Sequence, residues 1–498
     1  NIRATQNEIF EGFEAKSQNC WPSVNFDIGE INNLFSPILP AGFYYKTFMW
    51  PAKLWETYEY FIRKSAGLGV SATERDPDKY DHKYYHCDVL IVGCGPAGLA
   101  AASVAVKSGK RILLVDEKPE LGGSLVGSND EFTSIDNQTP QEWVKKTHSE
   151  LLKNKNIKIL NRTSVAAYHN YNYLIMMQNL TDHLGENDKK NKIRQRLWKV
   201  RAKKVILATG SIERTMIFDC NDRPGIMLSS SVRKYLNHYA VKCGNNAAIF
   251  TNNDDAYETA LSLHNKGIKI AAIIDIREGS EGDLVEKCNK LGLKILWKHT
   301  VVSTAGHKKV NKVFAMKLSN NNNSVVGNKI PIDCDLMCIS GGYTPAVHLF
   351  TQSGGKLLYD EKKHYFYPGK STLEQISVGA CTGTFNLRKI VEETYLKVNQ
   401  YLKTDVKNEF KISNYKSGIF ENIWLLPTNK IAGKTKSFVD FQNDSTANDI
   451  KLALREGFKS IEHVKRYTTT GMATDQGKIA NMHALGIISE HTKTKMGE

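Results

Sequence analysis

Apolar residues along this chain fall into short unbroken runs, each followed by a small-residue or polar turn and then a stretch of helical period. Val89-Leu90-Ile91-Val92 is one such run and leads straight into Gly93-Cys94-Gly95-Pro96-Ala97-Gly98. Consecutive apolar residues without alternation suit a strand buried on both faces, as in a parallel sheet covered by helices. Residues 97–106 then read as a small, apolar helix, and 111–115 as a second strand. Extended runs follow at 158–160, 173–177, 197–200 and 205–210, an order that predicts a parallel sheet with an antiparallel meander inserted before its next strand. A second round begins at 247–250, with a turn, a helix over 256–263, a strand at 270–274 ended by Asp275, another meander, and a strand within 335–342. The run 376–383 predicts a return to the first sheet, and one helix is predicted over 447–467.

The pattern predicts an α/β fold made of two nested Rossmann-like dinucleotide-binding domains plus a small helical C-terminal module. The first domain is expected at 86–225 and 330–400, the second, glycine-poor one at 226–329, and the module at 401–498. Residues 1–85 differ, because Gly42-Phe43-Tyr44-Tyr45-Lys46-Thr47-Phe48-Met49-Trp50-Pro51 is an aromatic block with no clear period. It either wraps over its own core or docks a partner, and the enrichment of aromatics and Met in interface cores favours the partner.

Composition changes this picture little. The 498 residues carry a formal charge of +15, but Lys and Asn crowd stretches such as 188–192 and 319–323, which read as solvated hairpin tips. No base-stacking aromatic series accompanies them, so no nucleic-acid partner is expected. Nine cysteines without a CxxC pair favour reduced thiols and a cytoplasmic location. No apolar run is long enough to cross a bilayer, so no membrane partner is expected either. The opening Asn1-Ile2-Arg3 has neither an initiator Met nor a signal-peptide pattern and reads as part of a longer polypeptide.

The candidate chemistry centres on Gly93, Gly95 and Gly98. In such a turn the first glycine permits a tight bend, the second lets the backbone approach a pyrophosphate, and the third lets helix and strand pack closely. Gly122-Gly123-Ser124 adds a second close-approach loop, and Thr209-Gly210 and Gly379-Ala380 end the later strands of the same sheet. Asp116 and Glu117 stand where adenosine ribose hydroxyls need a carboxylate, which favours NAD over NADP; Lys118 beside them is a cation that a 2′-phosphate would also accept. Val165 is either a backbone partner for the adenine edge or a plain core valine. The second turn, Thr251-Asn252-Asn253-Asp254-Asp255, has carboxylates where phosphates would approach and should bind a pyrophosphate poorly. His82, His86 and Cys87 resemble metal ligands but lack a second cluster, so no metal site is expected. Cys94 reads as a small side chain with no paired cysteine at redox-disulfide spacing, which argues against a disulfide reductase. Cys334 and Cys338 read as inert thiols, and no residue identifies itself as a catalytic base or nucleophile.

Five stretches carry a family resemblance: Asn1-Ile-Arg-Ala-Thr-Gln6, Pro40 to Pro51, His86-Cys-Asp-Val89, Asp116 to Ser124, and Arg466 to Lys478. Through them the chain resembles the central part of the alpha subunits of bacterial heterotetrameric sarcosine oxidases. The resemblance implies a pyridine nucleotide-disulfide oxidoreductase-like fold, with a ferredoxin-like domain before this region and an aminomethyltransferase-like, folate-binding domain after it. It implies a complex with beta, gamma and delta subunits that oxidises sarcosine to glycine, releases hydrogen peroxide and forms 5,10-methylenetetrahydrofolate. FAD and FMN would lie on or at the beta subunit, and this chain would hold NAD through Ala97, Asp116, Glu117, Lys118, Ser124, Val165 and Ala380, with Phe385 and Leu387. Related FAD proteins place an Asp where this chain has Ala380, which argues against a flavin in the first site. The segments 439–446 and 471–477 resemble a bacterioferritin-associated ferredoxin-like module whose cysteines hold a 2Fe-2S cluster. Asp440, Gln442, Asp475 and Ala480 stand at those places, so no cluster is expected. Thr468, Thr469, Thr470, Gln476 and Lys478 either donate to the FMN phosphate across the subunit boundary or form a helix N-cap turn. Two other functions remain open: an alpha subunit of an N-methylglutamate or opine dehydrogenase, and a self-sufficient NAD(P)H-dependent flavoprotein oxidoreductase.

Overall fold

The structure is a computed structural model that describes residues 7–43, 48–69, 71–128, 131–413, 415–418, 420–431 and 433–497. The opening hexapeptide and part of the aromatic block, residues 1–6 and 44–47, lie outside the described residues.

The first apolar run is the buried end of a long strand, β1 (Lys79–Val92). It is followed by α1 (Pro96–Ala105), β2 (Ile112–Val115), α2 (Pro140–Leu152), β3 (Ile157–Leu160), β4 (Thr163–His169), β5 (Tyr173–Asn179) and β6 (Ile193–Leu207). These strands lie in the order β3-β2-β1-β6-β5-β4. The β1, β2, β3 and β6 pairings are parallel, and β4, β5 and β6 form the antiparallel meander. The runs at 197–200 and 205–207 belong to one strand rather than two. The polar residues between them alternate, with Arg201 and Lys203 exposed and Ala202 buried, so the pleat continues through them. Helix α2 starts on a reciprocal cap: Thr139 accepts from Glu142 N–H at 3.2 Å, and Glu142 accepts from Thr139 N–H at 3.0 Å.

The short strand β7 (Ser211–Glu213) leads out of the first sheet, and β8 (Ile226–Leu228) enters the second, ahead of α3 (Ser229–Asn237). β9 (Asn246–Thr251), α4 (Asp255–Asn265), β10 (Lys269–Asp275) and β11 (Ile295–Trp297) follow. A three-stranded antiparallel sheet, β12 (His299–Ala305), β13 (Lys312–Leu318) and β14 (Val325–Asp333), is inserted before β15 (Leu336–Ser340). The second main sheet is wholly parallel, in the order β8-β15-β9-β10-β11. A boundary at 330 therefore falls inside this second fold, because Leu336–Ser340 pairs with β8 and β9. β16 (Tyr343–Pro345) then pairs antiparallel with β7.

The return to the first sheet is β17 (Gln375–Ser377), parallel to the end of β6. Helix α5 (Leu387–Leu402) shares one apolar core with α1, to which Ala97, Ala101, Ile390 and Val391 contribute. The chain past α5 still belongs there, since Ile412 pairs with Ile135 and Phe410 packs edge-on against Trp143. A boundary at 401 is thus too early. The helix predicted over 447–467 is two helices, α6 (Ala447–Arg455) and α7 (Ile461–Thr468), with Gly457 in the left-handed region at φ +97° between them. Helix α8 (Ala480–Thr492) completes the module.

The described part of the N-terminal segment leaves Trp21, Phe26, Leu34, Trp50, Phe61 and Leu68 exposed. It also touches the module, where Ala41 N–H donates to Asp449 at 3.1 Å. No helix among the described residues is long and apolar enough to cross a membrane.

Candidate functional site

The glycine turn sits between β1 and α1, and backbone sits where side chains would otherwise be. Gly93 has φ +101°, and a Cβ there would lie 2.3 Å from Ala208 O; on Gly98 it would lie 1.8 Å from Gly93 O. Gly95 is different, since its Cβ would meet nothing nearer than Gly123 Cα at 3.9 Å. Gly123, at φ +55°, faces Gly95 backbone to backbone, and Gly122 N–H donates to Cys94 O at 2.8 Å. The mouth over Gly95 thus stays open above the N-terminus of α1, whose first amides lack intrahelical acceptors. Gly123 and Ser124 are exposed at its edge, while Ala97 is buried beneath.

The two acids after β2 have different roles. Asp116 is turned inward, accepting from Cys94 N–H at 2.6 Å and from Lys118 N–H at 2.8 Å, and burial pushes its carboxyl upward. It holds the glycine turn in place. Glu117 stays more than half exposed, paired with Lys118 Nζ at 3.1 Å. A cavity of about 530 Å³ opens next to this end, lined by Glu120, Val126, Gln141 and Asn161 among others.

On the far side, Gly379 at φ +79° brings its backbone so close to α1 that a Cβ would lie 2.5 Å from Ala97 Cβ. Ala380 follows at the helix mouth and supplies no carboxylate. Thr209 spends its hydroxyl on Ala346 O at 2.7 Å, and Gly210 adopts φ +72°. Val165 lies half-buried at a bulge of β4, two residues past the Thr163 N–H that donates to Asp116 O at 2.7 Å. Phe385 is 41% exposed, against Tyr343 and Tyr365. Leu387 is not brought to the mouth by its side chain, which is buried in the core shared by α1 and α5.

The second turn is filled. Arg277, a residue the sequence did not single out, bridges Asp254 and Asp275 at 2.7 Å each, and all three are almost wholly buried. Ser280 donates to Asp254 at 2.9 Å, Tyr257 to Asp275 at 2.8 Å, and the Gly418 N–H to Asp254 from a strap that crosses the turn. The signal was there: an Asp-x-Arg spacing at the end of β10 can fold back on itself.

In the C-terminal module, Asp440 accepts from Gly471 N–H at 2.7 Å and Thr474 donates to Gln442 at 2.8 Å. Asp475 accepts from Gly477 N–H at 3.1 Å, and Ala480 is buried at the start of α8. Hydrogen bonds thus join the two loops, and with no cysteine after Cys381 these residues do not fit an iron–sulfur cluster. Of the five residues considered for a flavin phosphate, Thr468 and Thr470 are buried and bonded to each other at 2.8 Å, which removes them from any surface. Thr469, Gln476 and Lys478 remain accessible. The N-cap alternative also fails, because Thr468 ends α7 and Thr469 is its left-handed C-cap. His82 and His86 are exposed, whereas Cys87 points into the core with its thiol pushed up to about 12 by burial. These three side chains do not converge.

Residues 87–364, more than half the chain, match the profile of the pyridine nucleotide-disulphide oxidoreductase family, and residues 434–498 match that of the sarcosine oxidase A3 domain. The chain is similar to the sarcosine oxidase subunit alpha of Rhizobium meliloti (strain 1021), 39% identical over 98% of this chain and 48% of that protein. The subunit alpha from Corynebacterium sp. (strain P-1) is 36% identical over 85% of this chain and 44% of its own length. The chain spans about half the length of the curated relatives it matches. Among solved structures, an L-proline dehydrogenase from P. horikoshii shares the fold, with a TM-score of 0.59 at 19% identity over 85% of this chain and 78% of that one.

Proposed function

Because the chain belongs to the pyridine nucleotide-disulphide oxidoreductase family and is homologous to part of sarcosine oxidase subunit alpha, we propose that it is the NAD-binding alpha subunit of a heterotetrameric sarcosine oxidase. In this reading the complex demethylates sarcosine to glycine, yields hydrogen peroxide and passes the one-carbon unit to tetrahydrofolate. Amine oxidation takes place on FAD and FMN of the beta subunit, gamma and delta subunits complete the assembly, and the free cysteines suit the cytoplasm.

The observation that carries the reading is the contrast between the two turns. The first keeps an open mouth at Gly95, and the second is filled by Asp254, Arg277 and Asp275. A dinucleotide fits the first because the atom nearest to a Cβ on Gly95 would be the Gly123 backbone at 3.9 Å, which leaves its pyrophosphate room to approach the amides. NAD, when bound, supplies a nicotinamide able to carry hydride. The chain's own residues bind and orient it: amides at the start of α1 meet the pyrophosphate, Glu117 accepts from the adenosine ribose, and Ser124 and Val165 border the adenosine end. Ala380 offers no acceptor of the kind a flavin's ribityl chain uses, which favours NAD over FAD. No catalytic residue is assigned to this chain.

The test is to purify the full-length protein, release its ligand by denaturation and identify it by chromatography. About one NAD per chain is expected from a single intact dinucleotide turn; stoichiometric FAD without NAD would overturn the assignment. Assembled with its partners, the complex should oxidise sarcosine in preference to N-methylglutamate or an opine, and the reverse preference would replace the substrate.

A further inference from the structure

The adenosine end of the first site is bordered by an arginine that the sequence pattern did not single out. Arg162 follows β3, and its neighbourhood is stitched to the loop after β2. Its N–H donates to Lys118 O at 3.0 Å, the Thr163 N–H to Asp116 O at 2.7 Å, and the Asn161 side chain to Pro119 O at 2.8 Å. Neighbouring strands lie about 5 Å apart, so Arg162 stands one strand-width from the residue that follows Glu117. An arginine in that place has the chemistry that receives the 2′-phosphate of NADP.

Here the guanidinium is already taken. Glu8, on the N-terminal arm, meets it as a two-point fork, Nε to Oε2 at 2.6 Å and Nη2 to Oε1 at 2.9 Å. The two side chains are 24% and 35% exposed. The same arm is held a second time by Phe10, whose ring lies 4.5 Å from Lys189 Nζ. Arginine binds carboxylates and phosphates through the same planar fork, so with Glu8 on it this fork is closed to a phosphate. Lys118, a second cation at this mouth, is paired with Glu117, and Lys234 lies close enough to feel the charges of Lys118, Glu120 and Asp116.

We propose that Glu8 is a specificity-determining residue: by holding Arg162 it withdraws the 2′-phosphate site and sets the first turn for NAD rather than NADP. The proposal rests on the reading of that turn as a nucleotide cradle. It also gives the N-terminal arm a role in nucleotide choice, separate from any docking role of the aromatic residues beyond it.

The experiment is calorimetric titration of the nucleotide-free, full-length chain with NAD and with NADP, for the unaltered protein, for Glu8→Gln, and for Glu8→Gln combined with Arg162→Gln. The single variant should gain about tenfold in NADP affinity relative to NAD, the worth of about one charged hydrogen bond, and the double variant should lose that gain. An unchanged preference in Glu8→Gln, with NAD binding intact, overturns the proposal and leaves the cradle standing. A gain that persists in the double variant overturns it too, because Arg162 would then not be the acceptor. Binding of neither nucleotide by the unaltered protein overturns the cradle itself.

Discussion

Gly95 and Gly98 belong to one motif but carry different burdens. A Cβ on Gly98 would collide with Gly93 O at 1.8 Å, whereas on Gly95 it would face open space toward Gly123 at 3.9 Å. Gly95→Ala should therefore fold, with stability changed by no more than about 1 kcal/mol for the altered helix cap, while its methyl fills the approach to the pyrophosphate. Nucleotide titration should show an affinity loss of about tenfold or more at an almost unchanged Tm. Gly98→Ala should lower both. Equal loss of Tm in the two variants would mean that Gly95 is structural and that the mouth is not a ligand's. The glycines were legible in the sequence because backbone approach leaves a residue signature. The split between Asp116 and Glu117 was not, since both are carboxylates and only the loop's path decides which one turns toward Cys94 N–H. Nor was the Glu8–Arg162 fork legible, because a contact between the chain's beginning and a distant strand end has no local pattern.

At the scale of elements, the C-terminal module is the least legible part. Apolar positions continue on both sides of Gly457, so the pattern predicts one helix where α6 and α7 turn at that glycine. The module's loops are joined by Asp440, which is 3% exposed and accepts from Gly471, Gln442 and Asn443 N–H groups. Asp440→Ala strands the buried Gly471 N–H, at about 1–3 kcal/mol, whereas the Gln442 and Asn443 amides, on exposed and half-exposed residues, can turn to water. Hydrogen exchange should then rise within 434–498 and stay unchanged in the first sheet; a uniform rise would deny the module its own cooperativity. His483 on α8 makes the same element sensitive to acid. Its ring is buried 5.8 Å from Trp424, the backbones of Thr215 and Trp424 approach it without a well-formed hydrogen bond, and burial, with the Arg214 charge, holds its pKa down to about 3. The unfolded chain takes up this proton near pH 6.5 and the folded one only near 3. The contribution is therefore full above about pH 6.5 and shrinks as pH falls toward 3. His483→Phe should flatten the acid limb of the Tm–pH curve between about pH 6.5 and 4, and an unaltered slope would assign that limb to other groups.

Across the described residues the molecule has two dinucleotide-type folds, the first with an open turn and the second with a filled one. The family's name implies a dithiol, yet all nine cysteines are free, and burial pushes the thiol of Cys94, inside the glycine turn, well upward. The second fold is retained as architecture: its parallel sheet carries β15 and the β12–β14 insertion, and its turn is closed by an internal ion triad. That closure makes a prediction which separates stability from binding. Arg277→Met leaves Asp254 and Asp275, 3% and 0% exposed, without their cation. Breaking a buried pair from one side costs about 3–5 kcal/mol, so Tm should fall clearly. Nucleotide stoichiometry should not rise, because the strap still donates from Gly418 to Asp254 and the turn still lacks glycines. Pairing the variant with Asp254→Asn and Asp275→Asn should recover part of the lost Tm, as the uncompensated charges are then gone. If Arg277→Met instead bound a second nucleotide per chain, the triad would be a gate rather than a plug, and the second fold would have to be counted as a working site.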